Sequence, residues 1–226
     1  MPLASDPCQA GHIGERPFTG DPASAVDVAA WRYDERQRLR AERAALTPAM
    51  LARISGRITA HLAEILAPLD ASRLIVGASW PITGEPDLLP FLATLRPRGA
   101  IVSLSVCVKP PEAMRFRRWT PGAVMERGLW NLPVPPLSAG EVTPNLLIAP
   151  LLGWDGAGYR LGFGTGYFDR TLAGIDPPPF AIGVGLHSAR LGTVHPLPHD
   201  QRFDLIVTEC GIEAASPPLP SRQGMI

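Results

Sequence analysis

Residues 145–172 read NLLIAPLLGWDGAGYRLGFGTGYFDRTL. An apolar run at 146–151 leads into glycines at 156, 158, 162, 164 and 166, and then into a helix starting near Thr165. A buried strand, a glycine turn and a helix, in that order, form the unit from which parallel α/β sheets are assembled. Alternating glycines admit positive φ and let the backbone approach a ligand closely. Consecutive N–H groups in such a turn, with the positive end of the following helix, make an anion site. Arg160 opens the turn with a full charge and a fork of donors suited to phosphate oxygens. Asp169 stands one turn into the helix, where it could hold a divalent cation bridging phosphates.

The same residues also allow a plain tight turn, with Asp169 as a first-turn acid favoured by the helix dipole. The stretch is not a Walker loop, because no Gly-Lys-Ser/Thr follows, and its Gly-x-Gly-x-Gly spacing late in the chain is not a dinucleotide fingerprint. An arginine, three glycines, three aromatics and an acid within ten residues favour the phosphate reading.

Working outward, short apolar runs at 74–79, 100–108, 180–185 and 204–208 read as strands, and MRFRRW at 114–119 alternates with the two-residue strand period. Helical patterns cover 24–46, 48–67 and 86–95, with Thr47-Pro48 as a capping hydroxyl before a first-turn proline. The alternation predicts a three-layer α/β/α single domain over 24–213 with a mostly parallel, mixed sheet, its ligand crevice at the carboxyl ends of the strands. Residues 1–23 and 214–226, rich in Gly, Pro and polar side chains, are expected to be a flexible leader and tail.

The chain has 226 residues, and Lys+Arg 21 balance Asp+Glu 21. A neutral chain lacks the positive field needed to coat nucleic acid or an anionic membrane, though a small basic pocket remains possible. Hydrophobic residues at 46% and charged residues at 19% are globular proportions. No apolar run approaches the ~20 residues of a spanning helix and no secretory signal opens the chain, so a cytoplasmic protein is expected. Cys8, Cys107 and Cys210 lie far apart without CxxC spacing and read as buried or incidental thiols, not a disulfide framework or zinc site. His187, His195 and His199 have no zinc spacing with them, and His61 reads as a surface or packed residue.

RLGFGTGYFDRTL resembles the signature of the 5-formyltetrahydrofolate cyclo-ligase (5,10-methenyltetrahydrofolate synthetase) family. Further likeness lies in WPITGEPD at 80–87, in the arginines Arg32, Arg36 and Arg43 before Leu46-Thr47, and in His199-Asp200 followed by FDLIVTE at 203–209. The resemblance spans roughly residues 28–212. It implies ATP- and Mg²⁺-dependent closure of 5-formyltetrahydrofolate to 5,10-methenyltetrahydrofolate by a monomer, with release of ADP and phosphate and without a protein nucleophile.

By position, the resemblance assigns ATP to Arg32, Arg36, Arg160, Leu161, Gly162, Phe163, Gly164, Thr165, Gly166, Tyr167 and Phe168. It assigns the reduced folate to Trp80, Glu85, Phe163, Gly164, Thr165, Gly166 and Tyr167, and the metal to Asp169 and Asp200. Arg160, Tyr167 and Asp169 would carry the chemistry. Arg32 stands where the family commonly has lysine. The arginines of MRFRRW (Arg115, Arg117 and Arg118) read as a solvated strand face, or as contacts for a glutamate tail. An ATP-dependent ligase or kinase acting on another pterin-like substrate, or a non-catalytic folate- or nucleotide-binding relative, would share these features.

Overall fold

A computed structural model describes residues 8, 16–82, 84–109 and 112–215. Two helices open the chain, α1 (Ala25–Ala44) and α2 (Pro48–Leu66). The Ser24 hydroxyl caps α1 by accepting from the Asp27 N–H, and Thr47 caps α2 by accepting from Met50. In α2, Ile54, Ile58, Leu62 and Leu66 recur every four residues and are buried together. The buried residues of α1 are instead Val28, Trp31, Arg32, Glu35, Leu39 and Arg43. That mixture explains why α1 shows only scattered apolar points in sequence: half of its inner face is charged.

The rest of the chain alternates as expected. Next come β1 (Ile75–Ala78), α3 (Leu89–Leu95), β2 (Ile101–Val106) and β3 (Arg115–Arg118). The two-residue strands β4 (Glu126–Arg127) and β5 (Pro133–Val134) pair as a hairpin. Then follow β6 (Leu146–Pro150), β7 (Gly153–Asp155), β8 (Arg160–Leu161) and α4 (Tyr167–Gly174). The chain continues through β9 (Phe180–Val184), β10 (Arg190–Leu191), β11 (Leu205–Thr208) and β12 (Gly211–Ala214).

The main sheet runs β12-β11-β9-β6-β1-β2-β3, parallel except for the antiparallel edges β3 and β12. Leu146, Leu147, Ile148 and Ala149 of β6 are all buried, the unalternating pattern of a central strand covered on both faces. From β1 the next strand, β2, lies to one side, and from β6 the next, β9, lies to the other. The order therefore reverses between β1 and β6, and a crevice opens beyond their carboxyl ends.

Three expectations need amendment. The leader is tied down from Arg16 onward: its N–H donates to Glu35 Oε1 at 3.0 Å, and its carbonyl accepts from Trp31 Nε1 at 3.0 Å. Residues 1–7 and 9–15 of that leader, and 216–226 of the tail, lie outside the described residues. The first tail residues are structured, because Ala214 ends β12 and the buried Ala215 donates to the Asp204 carbonyl. Cys8 and Cys210 are not incidental thiols but a disulfide, with Cα atoms 5.4 Å apart. The fold brings together two cysteines 202 residues apart, a closure that spacing could not reveal. Cys107 is the free thiol.

Candidate active site

The crevice at the β1/β6 switch point holds about 1140 Å³ of empty volume, counting its open mouth. Its floor is Ser79 and Trp80 after β1, Ser105 and Cys107 at the end of β2, and Pro150 of β6. One wall is the glycine turn with Arg160, Tyr167, Phe168 and Asp169; another is Arg32 and Arg36 of α1 with His199 and Asp200. Leu129, Leu132, Pro133 and Val134 around the β4–β5 hairpin close it opposite. The structure thus gathers Trp80, Glu85, Arg32, Arg36, Arg160, the turn and both acids around one space.

Arg32, Arg36 and Arg40 recur every four residues and share one face of α1. Arg36 Nε donates to the Gly162 carbonyl at 2.8 Å, and Arg40 Nη2 to that of Phe163 at 3.3 Å, with its guanidinium 5.2 Å from the Phe163 ring. Among the described residues, no backbone hydrogen bond uses the N–H groups of Phe163, Gly164, Thr165 or Gly166. Gly164 and Gly166 adopt φ of 95° and 66°, the left-handed region that glycine occupies without penalty.

Behind the turn, Arg160 is buried with Nη2 on Asp169 Oδ2 at 2.8 Å and its guanidinium 5.0 Å from the Phe168 ring. Its Nε has no acceptor among the described residues. Burial lowers the Arg160 pKa, against the pull of Asp169. Burial also lowers that of Arg36, and Arg32, Arg40 and Arg160 lower it further by repulsion. Crowded, desolvated guanidinium groups facing open backbone donors are relieved by an anion.

Arg32 lines the crevice, as the resemblance has it, with its donors already engaged. Its Nη2 donates to Asp200 Oδ2 at 2.6 Å and to the His195 carbonyl at 2.9 Å, and its Nε to the Val194 carbonyl at 2.9 Å. Both oxygens of Asp200 are engaged, Oδ1 with Arg32 Nη1 at 3.4 Å and Oδ2 also with the Leu197 N–H at 2.6 Å. Burial works to raise the Asp200 pKa, but the Arg32 and Leu197 hydrogen bonds outweigh it and hold it below the usual carboxylate value. Buried Asp155 joins the two walls, accepting from Ala157 and Tyr159 before Arg160 and from Val194 before Asp200.

Glu85 is 5% exposed, with Oε2 accepting from the Ile82 N–H at 3.0 Å. Burial pushes its pKa up to about 7, against that N–H and the Arg43 charge. Arg43 does not line the crevice, although the resemblance placed it on a helix reaching ATP. It lies buried beneath the Glu85 loop, with Nη1 3.8 Å from Glu85 Oε1 and Nη2 donating to the Leu151 carbonyl. Gly84, at φ 76°, permits this: a β-carbon there would collide with the Arg43 side chain. The Tyr167 hydroxyl is buried and has no partner among the described residues, and its ring meets Trp130 edge-on at 5.8 Å.

Three residues escape the sequence reading of the site. Arg40 was legible in the four-residue spacing of 32, 36 and 40. Trp130, at φ 57° in the hairpin loop, and Cys107 at the end of β2 carry no such signal. Arg115 and Arg117 are engaged by Glu141, at 3.1 and 3.8 Å, and so are not bare cations for a substrate tail. Among the described residues no cluster of three or more His, Cys, Asp or Glu could hold a metal by itself.

The sequence profile of the 5-formyltetrahydrofolate cyclo-ligase family matches residues 28–209. A protein of Mycolicibacterium smegmatis named 5-formyltetrahydrofolate cyclo-ligase is 31% identical over 150 residues, covering 63% of this chain and 77% of its own. One of Haemophilus influenzae with the same name is 28% identical over 162 residues, covering 67% and 84%. The NMR structure of Aquifex aeolicus 5,10-methenyltetrahydrofolate synthetase superposes with a TM-score of 0.69 at 22% identity, covering 85% of this chain and 98% of that one. A Mycoplasma pneumoniae 5,10-methenyltetrahydrofolate synthetase gives 0.62 at 21%, covering 79% and 98%. The glycine turn, the arginine face of α1 and the crevice at the switch point all lie within the matched residues, and the chain belongs to the 5-formyltetrahydrofolate cyclo-ligase family.

Proposed function

We propose that this chain closes 5-formyltetrahydrofolate to 5,10-methenyltetrahydrofolate at the expense of ATP, releasing ADP and phosphate. The observation that carries the reading is the row of open N–H donors at 163–166, set between Arg36 and Arg160, whose side chain is 6% exposed. Such donors match the oxygens of a triphosphate, and in a partly desolvated crevice they stabilise charge on a transferring phosphoryl group. The formyl oxygen attacks the γ-phosphorus, ADP leaves, and an imino-phosphate forms. N10 then attacks the activated carbon and loses its proton to solvent as inorganic phosphate departs with the C–O bond electrons. The protein's tasks are alignment, charge neutralisation and exclusion of water, so no nucleophilic side chain is required.

Glu85 would accept the paired N–H donors of the pterin, with Trp80 as an apolar wall and Tyr167 between folate and nucleotide. A magnesium ion, when bound, supplies charge neutralisation on the phosphates. The donor set fits an ion that takes most of its ligands from phosphate and water. Asp169 would be the better protein ligand, since its Oδ1 accepts only a 3.3 Å bond from the Gln201 N–H. Asp200, with both oxygens engaged, would act by holding Arg32. A monomeric, cytoplasmic protein is the reading carried over from the sequence.

The test is to mix the purified chain with ATP, Mg²⁺ and 5-formyltetrahydrofolate and to follow methenyl absorbance together with ADP. Methenyl product formed with equal ADP supports the proposal. ADP release only with another acceptor points to a different ligase or kinase, and tight binding without product points to a non-catalytic relative.

A further inference from the structure

The segment from Arg16 to Gly20 lies outside the family match, which begins at residue 28, yet it packs against α1 and against His195. Its anchors are Arg16, bonded to Glu35 and Trp31 and ion-paired with Asp34 at 2.6 Å. Two residues on, the Phe18 ring stacks on His195, with centroids 4.0 Å apart and planes 32° apart. Both rings meet Trp31 edge-on, at 6.1 Å from Phe18 and 4.9 Å from His195.

His195 has φ 50°, a conformation that a residue with a β-carbon keeps only where its surroundings hold it. Its carbonyl and that of Val194 both accept from Arg32, and Arg32 grips Asp200. Arg36 and Arg160 in turn feel the charges of Arg32 and Asp200. The chain of contacts therefore runs from Phe18 through His195 to the charges that face the glycine turn.

We propose that Phe18, acting through His195, is a positioning residue: the strap at 16–20 holds the Arg32–Asp200 pair in place and thereby sets the affinity of the crevice for nucleotide. The proposal rests on the nucleotide reading of that crevice. Phe18 does not line the crevice, and its contribution is preorganisation.

The experiment compares the full chain with Phe18→Ala, Phe18→Leu and Phe18→Tyr by two readouts: hydrogen exchange at the N–H groups of 194–200, and Mg·ATP affinity by calorimetry. An aromatic contact of this kind corresponds to a roughly 3- to 10-fold effect. Phe18→Ala is expected to speed exchange and weaken Mg·ATP by that factor, leaving the KM for folate unchanged, while Phe18→Tyr restores both. Phe18→Leu keeps the bulk without the ring, and serves if the alanine variant does not fold. Unchanged exchange, or faster exchange with unchanged Mg·ATP affinity, overturns the proposal. A wild-type chain that binds no Mg·ATP overturns the nucleotide reading and with it the strap's effect on affinity, while the exchange rates still decide whether Phe18 holds the loop.

Discussion

Arg32 and Asp200 meet at 2.6 Å across 168 residues of sequence, with side-chain exposures of 8% and 10%. A buried pair contributes little net stability over an apolar replacement, but removing one partner strands the other charge at a cost of about 3–5 kcal/mol. Asp200→Ala should therefore lower the unfolding free energy in urea by that amount, whereas Asp200→Ala with Arg32→Met should recover much of the loss. A double variant no better than the single one would show that the pair is not energetically coupled.

The same pair fixes an acid limb of stability. Hydrogen bonds hold the folded Asp200 carboxyl below its ordinary value, so its stabilisation is fully present above about pH 4 and is lost as pH falls through the folded value. Asp200→Asn should flatten stability below about pH 4. An unchanged acid limb would place the titrating groups elsewhere.

Glu85 runs the other way. Burial raises it from 4.5 to about 7, so the folded chain binds more protons than the unfolded one in that window. Stability should fall as pH rises from 4.5 to about 7 and level off above it, and Glu85→Gln should remove the slope, on the order of 3 kcal/mol. On the proposal that ionised Glu85 accepts the pterin N–H groups, kcat/KM for folate should climb as pH passes about 7. A profile that is flat there in the wild type would remove Glu85 from the folate site.

Two glycines offer a controlled contrast. A β-carbon at Gly162 would press on the Arg160 guanidinium and force it to move, whereas one at Gly56 meets nothing within 4 Å. Gly56→Ala, exposed within α2, should stabilise the chain by about 0.5–1 kcal/mol and leave turnover unchanged. Gly162→Ala should cost turnover at least about 10-fold, as the loss of one positioned phosphate contact does. Equal turnover in the two variants would mean that the placement of Arg160 does not matter.

Asp169→Asn keeps an acceptor for Arg160 and removes the negative charge. Turnover should drop by about 100-fold or more, with the melting temperature nearly unchanged. Parallel losses in activity and stability would instead mark Asp169 as a helix-dipole acid.

Most of the architecture was legible because central strands buried on both faces, such as 146–150, are continuous apolar runs. The small strands were not: two residues, as in β4, β5, β8 and β10, carry no period. The turn at 160–169 announced itself because its glycines, arginine and acid are contiguous. Asp200 was found, whereas only the fold shows that Arg32 engages both of its oxygens. Phe18 and Cys8 lay in a stretch without periodicity, and their partners, His195 and Cys210, are set by the tertiary return of the chain.

The most direct measurement is a crystal of the full chain soaked with Mg²⁺ and a non-hydrolysable ATP analogue. The account predicts phosphate density against the N–H groups of 163–166, within reach of Arg36 and Arg160. Density for the nucleotide in another cleft, with this turn empty, would contradict it.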